Sequence, residues 1–140
     1  MQTYRKGFIY EIDLVRKLRR LGWYTIRYYH SGHTPTQYEI LRPDIVAIKH
    51  GRALFIECKV RKDNRHIHIE LDRYKKMLED IIKYGVVYLL CVYYEINNEW
   101  RCVDIRETSW LTDRYAVFAR KDIVSRGLRP EDLDRLVEEA

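Results

Sequence analysis

The sequence predicts an α/β fold in which a central mixed β-sheet is flanked by α-helices. Apolar residues recur with helical period near the N-terminus and again between residues 70 and 84. Runs rich in aromatic and β-branched residues, typical of strands, separate these segments. One of these runs, residues 86–94, is almost continuously apolar, as expected of a central strand covered on both faces. Helices and strands that alternate in this way favour a layered α/β architecture.

The first predicted helix covers residues 6–21 and stops at Gly22. A strand over residues 23–29 follows, because this stretch is rich in aromatic and β-branched residues. Residues 31–43 are polar and contain glycine and proline, so we expect a loop there.

Two further strands are predicted over residues 44–49 and 52–60, joined by a hairpin turn at His50-Gly51. The polar stretch 61–66 then leads to the second helix. An amphipathic stripe predicts that helix over residues 70–84, and its members are Leu71, Tyr74, Leu78, Ile81 and Ile82.

Gly85 ends the second helix, and the apolar strand 86–94 turns at Asn97-Asn98 into a last strand over residues 100–105. A short C-terminal helix begins near Pro130, where acidic residues follow at its positive end. The chain has no linker or internal repeat, and we expect a single domain, residues 1–140.

The composition is that of a globular protein, with 46% hydrophobic and 34% charged residues. No stretch approaches the roughly 20 apolar residues that cross a membrane. The N-terminus lacks the apolar run of a signal peptide, so we expect a cytoplasmic protein. Cys58, Cys91 and Cys102 each lie in an apolar run, which favours reduced core thiols.

The formal net charge of +5 indicates a polyanionic partner. The basic residues are unevenly placed, and two groups stand out. The first group lies in the first twenty residues and comprises Arg5, Lys6, Arg16, Lys17, Arg19 and Arg20. The second lies around the central strands and comprises Arg52, Arg61, Lys62 and Arg65.

The strongest local motif is Pro43-Asp44 followed, after the hairpin turn, by Glu57-Cys58-Lys59. Because strand side chains alternate between faces, Glu57 and Lys59 share one face and Cys58 points to the core. An antiparallel hairpin could bring Asp44 opposite Glu57. The alternative is an ordinary ion pair on an exposed strand face, worth only about 0–1 kcal/mol.

Two carboxylates this close repel each other, and one takes up a proton unless a cation joins them. Mg²⁺ fits because it prefers oxygen ligands and keeps several waters, and Mn²⁺ could substitute for it. Lys59 could then orient or activate the attacking water, or neutralise charge in the transition state of phosphodiester hydrolysis.

Glu11 is an acidic residue at the centre of the apolar arc of the first helix. A buried carboxylate is costly unless it is paired or binds a metal. It could form a buried ion pair with Arg27, or supply a third acidic group to the site at Asp44 and Glu57. The metal-site role explains the placement of Glu11 better, and the ion pair with Arg27 is the alternative.

These residues occur in the order found in the archaeal Holliday junction resolvases, a branch of the PD-(D/E)xK nuclease superfamily, which the chain resembles. The resemblance spans almost the whole chain and implies a restriction-endonuclease-like fold. The segments that carry it are Tyr4-Arg5-Lys6-Gly7 with Glu11, Gly22-Trp23 through Arg27 and Ser31, Pro43-Asp44-Ile45-Val46-Ala47, and Ile56-Glu57-Cys58-Lys59-Val60.

The resemblance implies that Glu11, Asp44 and Glu57 are acidic metal-site residues and that the backbone carbonyl of Cys58 completes the coordination. Lys59 would be the catalytic lysine, with Glu11 also serving catalysis. Mg²⁺ is the implied cofactor. The implied activity is resolution of four-way DNA junctions, in recombination and repair, by a homodimer that makes paired nicks.

Ser31 matches a serine that contributes to catalysis in part of the family, although an ordinary loop serine is an equal alternative from the residues alone. The residues expected to contact DNA are Arg5, Lys6 and Arg27, with Arg61 and Lys62 beyond the catalytic strand.

The chain departs from the family pattern at two places. Ile12 stands where many members have arginine, and the loop 32–43 is longer than usual. The alternative functions are another nuclease of the same superfamily (nicking, flap-cutting or restriction-type), an RNA-processing nuclease, or a DNA-binding module without catalysis.

Overall fold

The computed structural model describes residues 2–28, 42–63 and 65–138, with side chains from residue 7 onward. Its elements are α1 (Gln2–Arg20), β1 (Tyr24–Arg27), β2 (Ile45–Lys49), β3 (Arg52–Arg61), β4 (Ile67–Glu70), α2 (Leu71–Tyr84), β5 (Val87–Tyr94), β6 (Glu99–Asp104), β7 (Trp110–Leu111), β8 (Tyr115–Phe118), α3 (Arg120–Arg126) and a 3₁₀ helix (Pro130–Leu136). No helix among these residues is long and apolar enough to span a bilayer.

The main sheet has the strand order β1-β2-β3-β5-β6. β2 pairs antiparallel with both β1 and β3, β3 pairs parallel with β5, and β6 returns antiparallel to β5. The parallel pair needs a crossover connection, which contains α2. The predicted mixed sheet flanked by helices is therefore confirmed.

Two hydrophobic cores cover the two faces of this sheet. On one face, α1 and the 3₁₀ helix pack over Leu54 and Ile56 of β3. On the other face, Phe55 of the same strand packs near α2 and contacts Tyr88 with ring centroids 5.6 Å apart. β3 is thus a central strand that packs on both faces, and its last residues, from Lys59 to Arg61, are only half-buried.

The turns after β2 and α2 lie where they were predicted, whereas α1 begins at Gln2 rather than near residue 6. His50 and Gly51 both have positive φ, 55° and 72°, as the two central residues of a type I′ hairpin turn require. Gly85 adopts a left-handed conformation after α2, and its N–H donates to the Ile81 carbonyl. The hairpin at His50-Gly51 pairs β2 with β3 and places Ile45, the first residue of β2, opposite Ile56.

A second sheet, in the order β4-β8-β7, was not predicted. Part of it, β4, follows the polar stretch before α2, and β7 and β8 lie in a region with no predicted element. The sequence prediction also missed α3, and the short C-terminal helix near Pro130 is a 3₁₀ helix rather than an α-helix. Ile82, placed in the buried stripe of α2, is 85% exposed, so that part of the prediction was wrong.

Gly127→Ala is expected to destabilise the fold. A Cβ at Gly127 would lie 2.2 Å from the backbone carbonyl oxygen of Ile123 and 2.9 Å from the Cβ of Arg101, so the chain after α3 would have to shift. Overpacking of this kind costs about 1–3 kcal/mol of unfolding free energy. Chemical denaturation of the purified variant would measure this loss.

Gly7→Ala provides the matched control, because a Cβ there meets no atom within 4 Å and Gly7 lies inside α1. Alanine should stabilise that helix by about 0.5–1 kcal/mol. Equal stability changes in the two variants would contradict the packing assigned to Gly127.

Candidate active site

The candidate site lies where β3 extends beyond the start of β2. The β2–β3 pairing begins with Ile45 opposite Ile56, so the last residues of β3 have no β2 partner. Asp44 stands beside this open edge. Its N–H donates to the Ile56 carbonyl at 2.9 Å, and its carboxylate Oδ2 accepts from the Cys58 N–H at 2.8 Å. These bonds hold the Asp44 carboxylate against the backbone of β3.

Cys58 contributes its backbone to the site and its side chain to the core. The N–H and C=O of one strand residue point to the same side, so the bond from the Cys58 N–H to Asp44 directs the Cys58 carbonyl toward the same open edge. The thiol is buried in the core beneath α1, and this burial raises its pKa well above the usual value. The prediction that Cys58 points to a core is confirmed.

Glu57 lies on the opposite face of β3 and is only 6% exposed. Its Oε1 accepts from Nη2 of Arg73 at 2.5 Å, and its Oε2 is 3.7 Å from Nζ of Lys59. The predicted proximity of Glu57 and Lys59 is therefore present. Burial raises the pKa of Glu57, and the charge of Asp44 raises it further.

The pKa of Asp44 is also raised by its surroundings. Burial raises the pKa of Asp44, the hydrogen bond from the Cys58 N–H opposes this, and the Glu11 carboxylate raises the pKa again. The Asp44 charge thus disfavours the charged form of Glu57, and the Glu11 charge disfavours that of Asp44, in a poorly solvated site. A bound cation would relieve this repulsion.

Glu11 lies on α1 and forms an ion pair with Arg27. Its Oε1 accepts from Nε of Arg27 at 3.1 Å, and the Arg27 guanidinium also lies over the ring of Phe8, 4.5 Å from its centroid. Burial raises the pKa of Glu11 and Arg27 opposes it, while the Glu57 and Lys59 charges act in opposite directions. The ion pair with Arg27 is therefore present, and the role of Glu11 as a third acidic group of a metal site stays a prediction.

The described residues fit a partly hydrated metal ion better than a fully protein-bound one. Within the described ranges, no three His, Cys, Asp or Glu side chains are grouped closely enough to hold an ion by themselves. Asp44, Glu57 and the carbonyl of Cys58 nevertheless supply oxygen donors at one strand edge. Such an incomplete set suits Mg²⁺, which keeps several of its waters.

Of the residues predicted to contact DNA, Arg61 and Lys62 are described with their side chains at the end of β3. Arg61 ends β3 and donates to the Val60 carbonyl, and Lys62 is exposed just beyond it. The backbone of Arg5 and Lys6 belongs to α1, but their side chains lie outside the described part of the chain. Ser31 and most of the loop 32–43 also lie outside the described residues.

Sequence reasoning missed Arg73, whose Nη2 donates to both Glu57 and the Arg42 carbonyl. Arg73 lies on α2 beside the buried residues Tyr74 and Met77. A charged residue flanking the apolar stripe of a helix was a usable signal. Its carboxylate partner is on another element, and periodicity alone could not identify it.

Comparison with known proteins gives a consistent result. The model of the family described as archaeal Holliday junction resolvase (hjc) matches residues 2–139. Among solved structures, the chain is similar to Hjc from Archaeoglobus fulgidus, a Holliday junction resolvase from an archaeal hyperthermophile. The TM-score is 0.74, with 22% identity over 91% of this chain and 98% of that one. Among curated proteins, no similar sequence was found.

The structural likeness, at this level of identity, establishes the α/β fold of the chain. The family match carries the function, because it extends over nearly the entire sequence and includes every residue of the candidate site. The protein therefore belongs to the archaeal Holliday junction resolvase family and is a nuclease that resolves four-way DNA junctions.

Proposed function

We propose that the protein hydrolyses phosphodiester bonds at four-way junctions with Mg²⁺ held by Asp44, Glu57 and the carbonyl of Cys58. The observation that carries this proposal is the pair of carboxylates at the open end of β3, Glu57 buried and Asp44 half-buried, each with a raised pKa. Mn²⁺ is expected to replace Mg²⁺. Glu11, ion-paired with Arg27, acts at longer range as the third acidic residue.

When bound, the divalent ion would activate water as a nucleophile and neutralise charge on the phosphate. Lys59 has the complementary role of orienting the attacking water and stabilising negative charge on the scissile phosphate. Its position supports this role, because Nζ lies 3.7 Å from Glu57 and the side chain is partly exposed toward the edge where DNA would approach. Ser31 is proposed to contact the same phosphate.

Binding of the junction is proposed to depend on phosphate contacts and DNA shape rather than on base sequence. Arg61 and Lys62 continue the strand that carries Glu57 and Lys59, and they are suited to hold the DNA backbone beside the site. Arg5 and Lys6 are proposed as further contacts from α1. Arg27 acts mainly through Glu11, with which it is already paired.

We further propose a homodimer formed through an exposed apolar face, here called the β1–β2 face. It lies on the α2 side of the main sheet, where α2 covers β3 but, among the described residues, no helix covers β1 and β2. Cross-strand partners share a face, so the pairings of Tyr24 with Ile48 and Ile26 with Val46 place all four on it. Its exposed members are Tyr24, Ile26 and Ile48, with Ile82 and Tyr84 at the end of α2.

An exposed apolar patch of this kind marks an interaction surface, and two-fold symmetry is the commonest way for identical chains to cover one. A symmetric dimer would present two equivalent sites to a junction, which itself has two symmetry-related strands. Paired nicks in strands of like polarity follow from this arrangement.

A cleavage assay with a mobile four-way junction, linear duplex, a flap, single strand and RNA tests the proposed function. We expect junction cleavage in Mg²⁺ or Mn²⁺, none in chelator, and little cleavage of linear duplex or RNA. A plasmid that extrudes a cruciform should be converted directly to linear DNA, because paired nicks occur in one encounter. Accumulation of singly nicked circles, or preferred cleavage of linear duplex, would contradict the proposal.

A further inference from the structure

Arg73 gives the two oxygens of Glu57 different surroundings. Nη2 of Arg73 lies 2.5 Å from Oε1, a short bond between charged groups, while the cation beside Oε2 within the described residues is Lys59, with Nζ at 3.7 Å. Hydrogen bonds in which both donor and acceptor are charged are about twice as strong as those between neutral groups. Oε1 is therefore occupied by the guanidinium, and Oε2 is the oxygen that Glu57 can offer to another ligand.

This division of the carboxylate decides how Glu57 can bind an ion. Ca²⁺ accepts six to eight oxygens in flexible geometry and often takes both oxygens of one carboxylate. Mg²⁺ is smaller, demands near-octahedral geometry, and is usually held by one or two carboxylates together with waters. A glutamate that can offer only one oxygen suits the coordination of Mg²⁺ and weakens the binding of Ca²⁺.

Arg73 also fixes the other side of the site. The same Nη2 donates to the Arg42 carbonyl at 3.3 Å, two residues before Asp44. Asp44 is in turn held by the Cys58 N–H. The guanidinium therefore ties both carboxylate-bearing segments to α2 and limits their adjustment to a larger ion.

We infer that Arg73 is a positioning residue that restricts Glu57 to one-oxygen coordination and thereby makes the site selective for Mg²⁺ over Ca²⁺. The inference rests on the proposed metal site at Asp44 and Glu57. It assigns to α2 a role in ion choice, although α2 contributes no ligand.

The test compares the binding of Mg²⁺ and Ca²⁺ to the full-length protein without DNA, by titration calorimetry. In Arg73→Gln, the ratio of the Ca²⁺ to the Mg²⁺ dissociation constant should fall about 10-fold, as expected when a metal ligand loses a hydrogen-bond partner. The ratio is the readout because the lost positive charge changes both affinities in the same direction. Arg73→Lys, which keeps the charge, should restore part of the preference.

Lys76→Gln is the matched control, since Lys76 lies on the same helix and pairs with the buried carboxylate of Asp80 at 3.2 Å. Its ion preference should equal that of the parent. An unchanged ratio in a folded Arg73→Gln protein would overturn the inference, and Arg73→Lys decides the matter in the same way if the glutamine variant fails to fold. If Glu57→Gln binds Mg²⁺ as the parent does, the proposed metal site fails instead.

Discussion

Glu57→Gln is expected to reduce junction cleavage by about 1000-fold or more while leaving junction affinity nearly unchanged. The amide keeps the size of the side chain but removes the negative charge that the proposed metal site needs. DNA binding is expected to survive because it depends on phosphate contacts made elsewhere. Single-turnover cleavage measures the chemical step, gel-shift titration measures junction affinity, and a melting curve on the same preparation measures the stability of the fold. Asp44→Asn and Lys59→Ala should behave alike.

Glu99→Gln serves as the control for this experiment. Glu99 is also an ion-paired carboxylate on a strand of the main sheet, held by Arg101 at 3.0 Å, but it lies on β6. Cleavage by that variant should match the parent. If Glu57→Gln cuts junctions at close to the parental rate in a folded protein, Glu57 is not part of the active site.

Ile48→Glu is expected to dissociate the dimer. Ile48 is 37% exposed within the β1–β2 face, and a glutamate there would be buried without a partner when two copies associate. Burying an unpaired charge costs several kcal/mol, which corresponds to a rise in the dimer dissociation constant of about 100-fold or more. Sedimentation equilibrium measures this change directly. The monomer should lose paired nicking of a cruciform even though its own active site is intact.

Ile96→Glu makes the same chemical change at a residue that is 60% exposed, in the turn between β5 and β6. That turn is distant from the β1–β2 face along the sheet, so the dimer should persist. Parental self-association in Ile48→Glu, or equal dissociation in both variants, would exclude the β1–β2 face as the dimer surface.

The elements that sequence predicted well are those whose signal is local. The α1 helix has a long amphipathic period, and β5 is a continuous apolar run. The hairpin between β2 and β3 depends on a two-residue turn whose positive φ angles suit His50-Gly51. In each case residues close together in the sequence determine the local structure, and tertiary contacts stabilise it further.

The second sheet was missed because its strands are short and its pairing is not local. β4 has four residues, and its partner β8 lies far along the chain, with Ile67 opposite Phe118. The alternation of Ile67 and Ile69 with polar residues is too brief to distinguish a strand from a loop. The 3₁₀ helix was taken for an α-helix because Pro130 starts either kind equally well.

Sequence located the two carboxylates and Lys59 because strand alternation and a hairpin register are geometric rules. It placed Glu11 inside an apolar arc and favoured a metal role over an ion pair. The Arg27 contact at 3.1 Å shows that the ion pair forms, and the metal role stays a prediction. The position of Arg73 beside the apolar stripe of α2 was a usable signal, but its contact with Glu57 could not be predicted, since that contact depends on how α2 crosses the sheet. The basic group on α1 was recognised by charge, but its part in binding DNA stays a prediction.

The three cysteines offer a way to observe the active-site strand itself. Cys58, Cys91 and Cys102 lie in register across β3, β5 and β6, and all three are buried free thiols. A thiol reagent can reach such groups only during local opening of the sheet, so the labelling rate reports the free energy of that opening. Because Cys58 sits between Glu57 and Lys59, slower labelling in the presence of an ion would register occupancy of the site without DNA or cleavage. The labelling rate of a core thiol would thus measure ion binding at the neighbouring site.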